Sequence, residues 1–231
     1  MNEVPKQRWG CLQWGIGVGT FLLLGWLATP SGSGPCGMPG NQMLAVHNCR
    51  SIILTLKQYS MDHGSSYPCA GPTDMVSANQ VFRELFKEQI ITDERIFGCP
   101  ASVFNSDNNS GRPPSFEDAL RPGECHWMLL RDQTAFSHAK TPLIIENSLN
   151  ASWPPKWDVS FWAGKKRGRA WGGKRIIIGR NDGSVAVEKL RPDGSLDWHS
   201  PSNLDEHGKS WIDYLTPEQV AKLEYWDIEE K

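Results

Sequence analysis

An apolar segment near the N-terminus constrains this 231-residue chain more than any other feature of its sequence. Residues 12–29 read LQWGIGVGTFLLLGWLAT, about 18 uncharged residues, which is near the lower length limit for a helix that spans a membrane. Lys6 and Arg8 precede the segment, and no Lys or Arg follows it until Arg50. The positive-inside rule therefore predicts a cytoplasmic N-terminus and a soluble portion across the membrane.

A cleaved signal peptide is the alternative to a retained anchor. Ala28, Ser31 and Ser33 offer small residues to a signal peptidase after the apolar run. The run is longer than the apolar core of an ordinary signal peptide, so we expect a single-pass anchor. In an oxidising compartment, disulfides are permitted among the five cysteines beyond the anchor. Because five is odd, at least one must stay free or pair between chains: Cys36, Cys49, Cys69, Cys99 and Cys125.

The composition allows one ordinary folded domain beyond the anchor. A hydrophobic content of 39% and a charged content of 22% are enough for a core and exclude a disordered chain. The formal charge of −2 provides no overall attraction to nucleic acid or acidic lipid. Any such binding would need a local basic patch.

Hydrophobic periodicity predicts helices first and a sheet afterwards. Residues 30–40 (PSGSGPCGMPG) are typical of a flexible linker, after which Asn41 can cap an amphipathic helix from Gln42 to about His63. A second helix is predicted to begin at Ser77 and a last one to run from Thr216 to Trp226. Strands are predicted at residues 124–131, 142–146, 175–179 and 184–190.

This order of elements predicts an α+β fold, with helices set apart from a sheet built of hairpins. The hairpin turn lies at Asn181, Asp182 and Gly183. If Asp182 and Gly183 are the central residues of a type I′ turn, Gly183 avoids the clash of a Cβ at positive φ. The predicted organisation is an anchor with its cytoplasmic tip, a linker, a soluble domain, and a C-terminal extension with a helix: residues 1–29, 30–40, 41–200 and 201–231.

Three blocks of the chain resemble the type II secretion pseudopilin-like proteins that carry a C-terminal Asp-Gly signature. They are NCRSIILTLKQYSMDHGSSYP, SANQVFRELFKEQIITDERIFGCPAS, and the strands ECHWMLLRD and TPLIIEN joined to GGKRIIIGRNDGSVAVEKL. The resemblance implies a pilin-like helix packed on a small antiparallel sheet. It also implies a non-enzymatic part of an envelope secretion or assembly apparatus. Such a protein sits in the bacterial inner membrane with its soluble domain in the periplasm, and contacts other pseudopilin-like or secretion proteins.

The chain departs from that family at its N-terminus. A prepilin carries a Glu a few residues into its apolar helix, which helps to register subunits in a filament, and residues 12–29 contain none. Pro and Gly residues also interrupt the path to Asn41, where a pilin has one continuous helix. The sequence therefore predicts a pseudopilin-like domain on a plain anchor, without prepilin cleavage.

No motif for a nucleophile, a phosphate loop, a zinc helix or a dinucleotide occurs, so the sequence predicts no enzymatic activity and no cofactor. Calcium is the alternative in the turns near the sheet, where Asp182, Asp193 and Asp197 offer oxygen ligands. Asp-Gly turns form without any metal, which is the simpler interpretation.

The most unusual stretch is residues 153–171, WPPKWDVSFWAGKKRGRAW, in which aromatic and basic residues alternate. Such a loop could bind glycan or DNA by stacking and charge, which would make the protein a periplasmic binding module instead. The alternative is a structural insertion whose Trp residues pack on the sheet. The candidate surface residues are Trp162, Lys165, Lys166, Arg167, Arg169 and Trp171.

Overall fold

A computed structural model describes residues 37–68, 74–161 and 164–231. The chain divides into residues 1–40 and 41–231, and the fold below is that of the second unit. The predicted anchor, residues 12–29, lies outside the described part of the chain. Among the described residues, no helix combines the length and the apolar character needed to cross a bilayer.

Helix α1 spans Gly37–Asp62 and begins earlier than predicted. The last four residues of the expected linker, 37–40, are helical, and Asn41 lies inside the helix, so its predicted capping role is wrong. Pro39 does not prevent this, because it falls in the first helical turn, where backbone N–H groups have no partner within the helix. The helix ends before Gly64, which has a φ of +60°.

One face of α1 packs on the sheet at a glycine. Ala45, Cys49, Ile52 and Ile53 are fully buried on this face. A Cβ placed on Gly179 would lie 2.5 Å from Cδ1 of Ile53 and 2.6 Å from Sγ of Cys49. Gly179 therefore lets the helix approach the strand more closely than any other residue would.

Helix α2 spans Ala78–Lys87 and starts one residue after the predicted position, because Ser77 is its N-cap. The side chain of Ser77 accepts a hydrogen bond from the Gln80 backbone N–H at 3.2 Å. A 3₁₀ helix, Glu94–Phe97, follows the loop after α2. The rings of Phe82 and Phe97, with centroids 5.0 Å apart, join the two helices in the core.

Five antiparallel strands form the sheet, in the order β4-β3-β2-β1-β5. Ile145 lies opposite Met128 of one neighbouring strand and Ile178 of the other. Packing of the helices on this sheet confirms the predicted α+β class. The strands are β1 Trp127–Leu130, β2 Ile144–Glu146, β3 Arg175–Gly179, β4 Val185–Lys189 and β5 Tyr225–Trp226.

The hairpin between β3 and β4 forms at the expected place with a different turn. Gly183 donates its N–H to the Arg180 carbonyl at 2.9 Å, and Arg180 donates to the Ser184 carbonyl at 2.8 Å. Only Gly183 has positive φ, at +89°, so Asp182 does not adopt the conformation that a type I′ turn requires. The turn is type I followed by a glycine bulge. Asp182 favours it by accepting the Ser184 N–H at 2.8 Å.

The C-terminal helix is much shorter than predicted. Helix α3 spans Pro217–Val220, with Thr216 as its cap in a capping box. The predicted continuation to Trp226 is wrong, because Tyr225 and Trp226 instead pair with β1 as an edge strand. Both side chains are buried there, and burial of two large aromatic rings outweighs helix propensity.

Candidate functional site

Cys99, His126 and Glu146 meet in the core, and we call them the Cys-His-Glu cluster. A sulfur, an imidazole nitrogen and a carboxylate oxygen lie within 4.8 Å of one another. Each of the three residues is at most 1% exposed. Burial of three ionisable groups is costly unless they are paired or bind a metal ion, so this cluster calls for an explanation.

Three separate parts of the chain supply the cluster. Cys99 follows the 3₁₀ helix Glu94–Phe97, His126 directly precedes β1, and Glu146 ends β2. Glu146 lies opposite Trp127 in the sheet register, which brings the end of β2 beside His126. The His126 backbone N–H also donates to the Phe97 carbonyl at 2.8 Å, which holds Cys99 nearby.

Two tryptophans orient Glu146. The indole N–H of Trp171 donates to Oε1 of Glu146 at 2.7 Å, and that of Trp157 donates to the Glu146 backbone carbonyl at 3.3 Å. Oε2 is buried without a hydrogen-bond partner among the described residues. One carboxylate oxygen is therefore held in place while the other is left free.

Asn147 orients the ring of His126. Its Nδ2 lies 2.7 Å from Nδ1 of His126 and donates to the His126 backbone carbonyl at 3.1 Å. Its Oδ1 accepts the Gly168 N–H at 2.7 Å, which settles which end of the amide faces the ring. Because an NH₂ group faces Nδ1, the ring proton belongs on Nε2. Nε2 lies 3.5 Å from Oε1 of Glu146 but makes no hydrogen bond to described groups.

The cluster attracts positive charge. Burial alone lowers the pKa of His126, but the Cys99 thiol and the Glu146 carboxylate outweigh it and raise this pKa to about 10. Asn147 opposes protonation, because an imidazolium would point a second N–H at its NH₂ group. The raised pKa and the Asn147 contact thus favour opposite protonation states of His126. The cluster as a whole favours a positive charge beside Cys99 and Glu146, carried either by an imidazolium or by a bound cation.

The described cysteines form no disulfides with one another. Cys49, Cys99 and Cys125 are buried free thiols. Burial raises the pKa of Cys125 to about 12, so this thiol stays protonated. Cys11, Cys36 and Cys69 lie outside the described residues.

The four basic residues of the candidate binding surface have partners within the fold. Nζ of Lys165 donates to the Pro100 carbonyl at 2.6 Å, and Lys166 pairs with Asp158. Arg167 binds Asp227 at 2.7 Å and Glu230 at 2.5 Å. Arg169, 6% exposed, lies beside Asp158 as well.

The aromatic residues of that segment do not form an open platform either. Trp171 is 9% exposed and donates to Glu146, and Trp157 is 2% exposed. Trp162 lies outside the described residues. Trp157 and Trp171 are packed on the fold, as expected of a structural insertion, whereas Phe161 is 74% exposed.

Asp182, Asp193 and Asp197 are not brought together as ligands. Asp182 pairs with Lys140 at 3.1 Å, and Asp193 accepts the Ser195 N–H at 3.1 Å. Asp197 pairs with Arg191 at 3.0 Å. None of the three belongs to a potential ligand group in the described regions, so each carboxylate acts in its own turn.

A second potential ligand group consists of Glu94, Asp107 and Glu124. Glu94 accepts the Leu120 N–H and, at 2.6 Å, the Ser106 hydroxyl. Glu124 accepts the Arg121 N–H at 2.7 Å, and its pKa is raised by burial and by the neighbouring Glu94 and Asp107. Hydrogen bonds that fix the surrounding loop account for these carboxylates.

A surface cavity of about 610 Å³ lies near the C-terminal segment. The Tyr214 hydroxyl donates to Oδ2 of Asp205 at 2.5 Å, and this bond helps to lower the pKa of Asp205 to about 2. His138 stacks on Tyr214 with ring centroids 4.7 Å apart. The lining residues are His138, Ala139, Lys140, Asp205, Glu206, His207 and Tyr214.

Sequence reasoning did not identify the Cys-His-Glu cluster. Its members lie 27 and 20 positions apart, a spacing typical of no zinc motif. The only available signal was the pairing of the strands at residues 124–131 and 142–146, which brings His126 towards Glu146.

Comparisons of this chain with protein-family models, with characterised proteins and with solved structures found no match.

Proposed function

We propose that this protein is a membrane-anchored, non-enzymatic domain of pseudopilin type that works by protein–protein contacts in an envelope secretion or assembly apparatus. The apolar segment at residues 12–29 would hold it in the bacterial inner membrane, with the domain in the periplasm. The sequence blocks that resemble pseudopilins and a helix packed on an antiparallel sheet support the proposal.

The main structural support for this assembly role is an exposed apolar stripe on α1. Met43, Leu54 and Met61 are 61%, 58% and 83% exposed. Their spacings of eleven and seven residues place them within about 20° of one line along the helix. Arg50 is exposed on the same side, so the surface is mixed rather than wholly apolar.

A stripe of this kind suits helix-to-helix contact. The opposite face of α1 is buried against its own sheet, so the outward face is the one available to a partner. The anchor proposed at residues 12–29 would restrict partners of this face to the same membrane. We therefore expect the partner to be another pseudopilin-like or secretion protein.

Photo-crosslinking in the native membrane tests the proposal. A photoreactive residue at Leu54 or Met61 should give discrete adducts with membrane-associated partners. The control is the same residue at Phe136, which is 85% exposed and does not belong to α1. Equal adducts from all three positions, or none from α1, would contradict an assembly role for this face.

Membrane topology is tested separately. A reporter that is active only outside the cytoplasm, fused after Lys231, should be active, and mass spectrometry should find the N-terminal peptide intact. A stable but inactive fusion, or a new N-terminus between Gly10 and Thr20, would contradict the proposed anchoring.

A further inference from the structure

The Cys-His-Glu cluster offers metal ligands, and two of its buried polar atoms have no hydrogen-bond partner among the described residues. Nε2 of His126 and Oε2 of Glu146 are buried, lie in one small region and make no hydrogen bond to described groups. An unpartnered buried polar atom destabilises a fold, and two such atoms beside a thiol indicate a missing cation. We propose that Cys99, His126 and Glu146 bind one zinc ion in a buried structural site, with one enclosed water as the fourth ligand.

The ligand types select the metal. A thiolate, an imidazole and a carboxylate are the ligands that zinc takes in proteins, whereas calcium and magnesium prefer oxygen alone. Zinc bonds of about 2.0–2.3 Å in a tetrahedron place ligand atoms roughly 3.3–3.7 Å apart. The other oxygen of the same carboxylate, Oε1 of Glu146, lies 3.5 Å from Nε2 of His126, so the carboxylate as a whole lies within this range of the imidazole. All three ligands lie within 4.8 Å, so small side-chain movements complete the site.

One of the two surrounding contacts already suits a metal site, and the other must rearrange. Trp171 holds Oε1 of Glu146 at 2.7 Å and leaves Oε2 free for the ion. Zinc on Nε2 of His126 would displace the ring proton to Nδ1, and the Cys99 thiol proton would leave to solvent. The Asn147 amide must then turn its oxygen towards Nδ1. Asn147 is thus the positioning residue that tunes this site.

Burial decides between a structural and a catalytic zinc. Three protein ligands with an open position are typical of catalytic sites, but each of these residues is at most 1% exposed. No substrate reaches an ion enclosed in this way. The ion would instead tie the loop at Cys99 to β1 and β2, and its binding energy would add to the stability of the fold. This inference does not depend on the proposed assembly role.

Metal analysis of the full-length chain, purified in detergent, tests the site directly. We expect about one zinc ion per chain, in keeping with one ligand group of this type, and a lower melting temperature after a strong chelator removes it. Reloading with Co²⁺ should produce a thiolate-to-cobalt charge-transfer band. A chain that purifies without zinc and gives no thiolate band with Co²⁺ would overturn the proposal.

Matched cysteine variants separate this site from surface binding. Cys99→Ser should abolish the charge-transfer band and lower zinc affinity at least tenfold. Cys125→Ser, which alters another buried free thiol, should leave both unchanged. Zinc that persists in Cys99→Ser at wild-type affinity is adventitious and would also overturn the proposal.

Asn147→Asp keeps the inference testable if Cys99→Ser fails to fold. A carboxylate at position 147 accepts the Nδ1 proton of a metal-bound His126 without turning, so zinc should bind at least threefold more tightly. Zinc binding that is weakened or unchanged in a folded Asn147→Asp protein would count against Nε2 as a ligand.

Discussion

Trp171 donates its indole N–H to Oε1 of Glu146 at 2.7 Å, which links the Trp-rich segment to the end of β2. The bond gives a basic, aromatic stretch of sequence a structural role, because it anchors the segment at the Cys-His-Glu cluster. Trp157, from the same segment, adds a bond of 3.3 Å to the Glu146 backbone carbonyl.

Trp171→Phe should therefore destabilise the protein by about 1–3 kcal/mol, since it removes the donor to a buried carboxylate oxygen. Trp157→Phe is the matched control, because it makes the same size change but removes only a longer bond to a neutral carbonyl. Its expected cost is about 0.5–1.5 kcal/mol. Urea unfolding midpoints measure both, and an equal loss in the two variants would show that the carboxylate bond is unimportant.

Two turns that end in a glycine test how closely Trp157 packs against the second of them. Gly183 and Gly194 have φ values of +89° and +78° and occupy the same position in equivalent turns. Gly183→Ala should cost about 1 kcal/mol from backbone strain alone, because its only close neighbour is 3.8 Å away.

Gly194→Ala should lower the free energy of unfolding by about 1–3 kcal/mol more than Gly183→Ala does, because of steric overlap. A Cβ there would lie 2.1 Å from the Trp157 carbonyl oxygen, which must move. Thermal or urea unfolding of the two variants gives the comparison. If Gly183→Ala is the more damaging change, the described approach of Trp157 to this turn is incorrect.

Arg167 distinguishes a structural segment from a binding surface. It joins Asp227, Glu230 and the Ser148 carbonyl, so Arg167→Ala should reduce stability by about 1–2 kcal/mol, allowing for partial exposure. Lys165→Ala, at an exposed position, should change stability by less than about 0.5 kcal/mol.

The same two variants test nucleic-acid binding. We expect no salt-sensitive binding of DNA by the wild-type chain, because the four candidate cations already have intramolecular partners. DNA affinity that falls with salt, and falls further in a stably folded Lys165→Ala or Arg167→Ala protein, would favour the binding-module alternative instead.

The lowered pKa of Asp158 predicts that the stability of the protein depends on pH. Lys166 and hydrogen bonds from Ser160 lower the pKa of Asp158 from its ordinary value near 3.8. A carboxylate with a lowered pKa in the folded state stabilises the protein above its unfolded pKa, and this contribution is lost as the pH falls below about 4. In Asp158→Asn, the free energy of unfolding should fall less steeply than in the wild type as the pH drops below about 4. A profile that matches the wild type would rule out this contribution.

Local sequence determined much of the element order. The Ser77 cap, the β-branched run of β3 and the glycine of the β3–β4 turn each act through nearest neighbours, so their positions were predictable. The largest error arose where a long-range contact decided the outcome. Tyr225 and Trp226 continue a plausible helix by propensity, yet their pairing with β1 makes them a strand.

The sequence by itself determined an α+β domain with an amphipathic helix and an Asp-Gly hairpin, because periodicity and turn chemistry are local properties. Only the tertiary structure brought Cys99, His126 and Glu146 together and gave Lys165, Lys166, Arg167 and Arg169 their partners. Strand register and loop packing place residues that are distant in sequence within a few ångströms. No spacing along the chain encodes that proximity, since it depends on how separate elements bury one another.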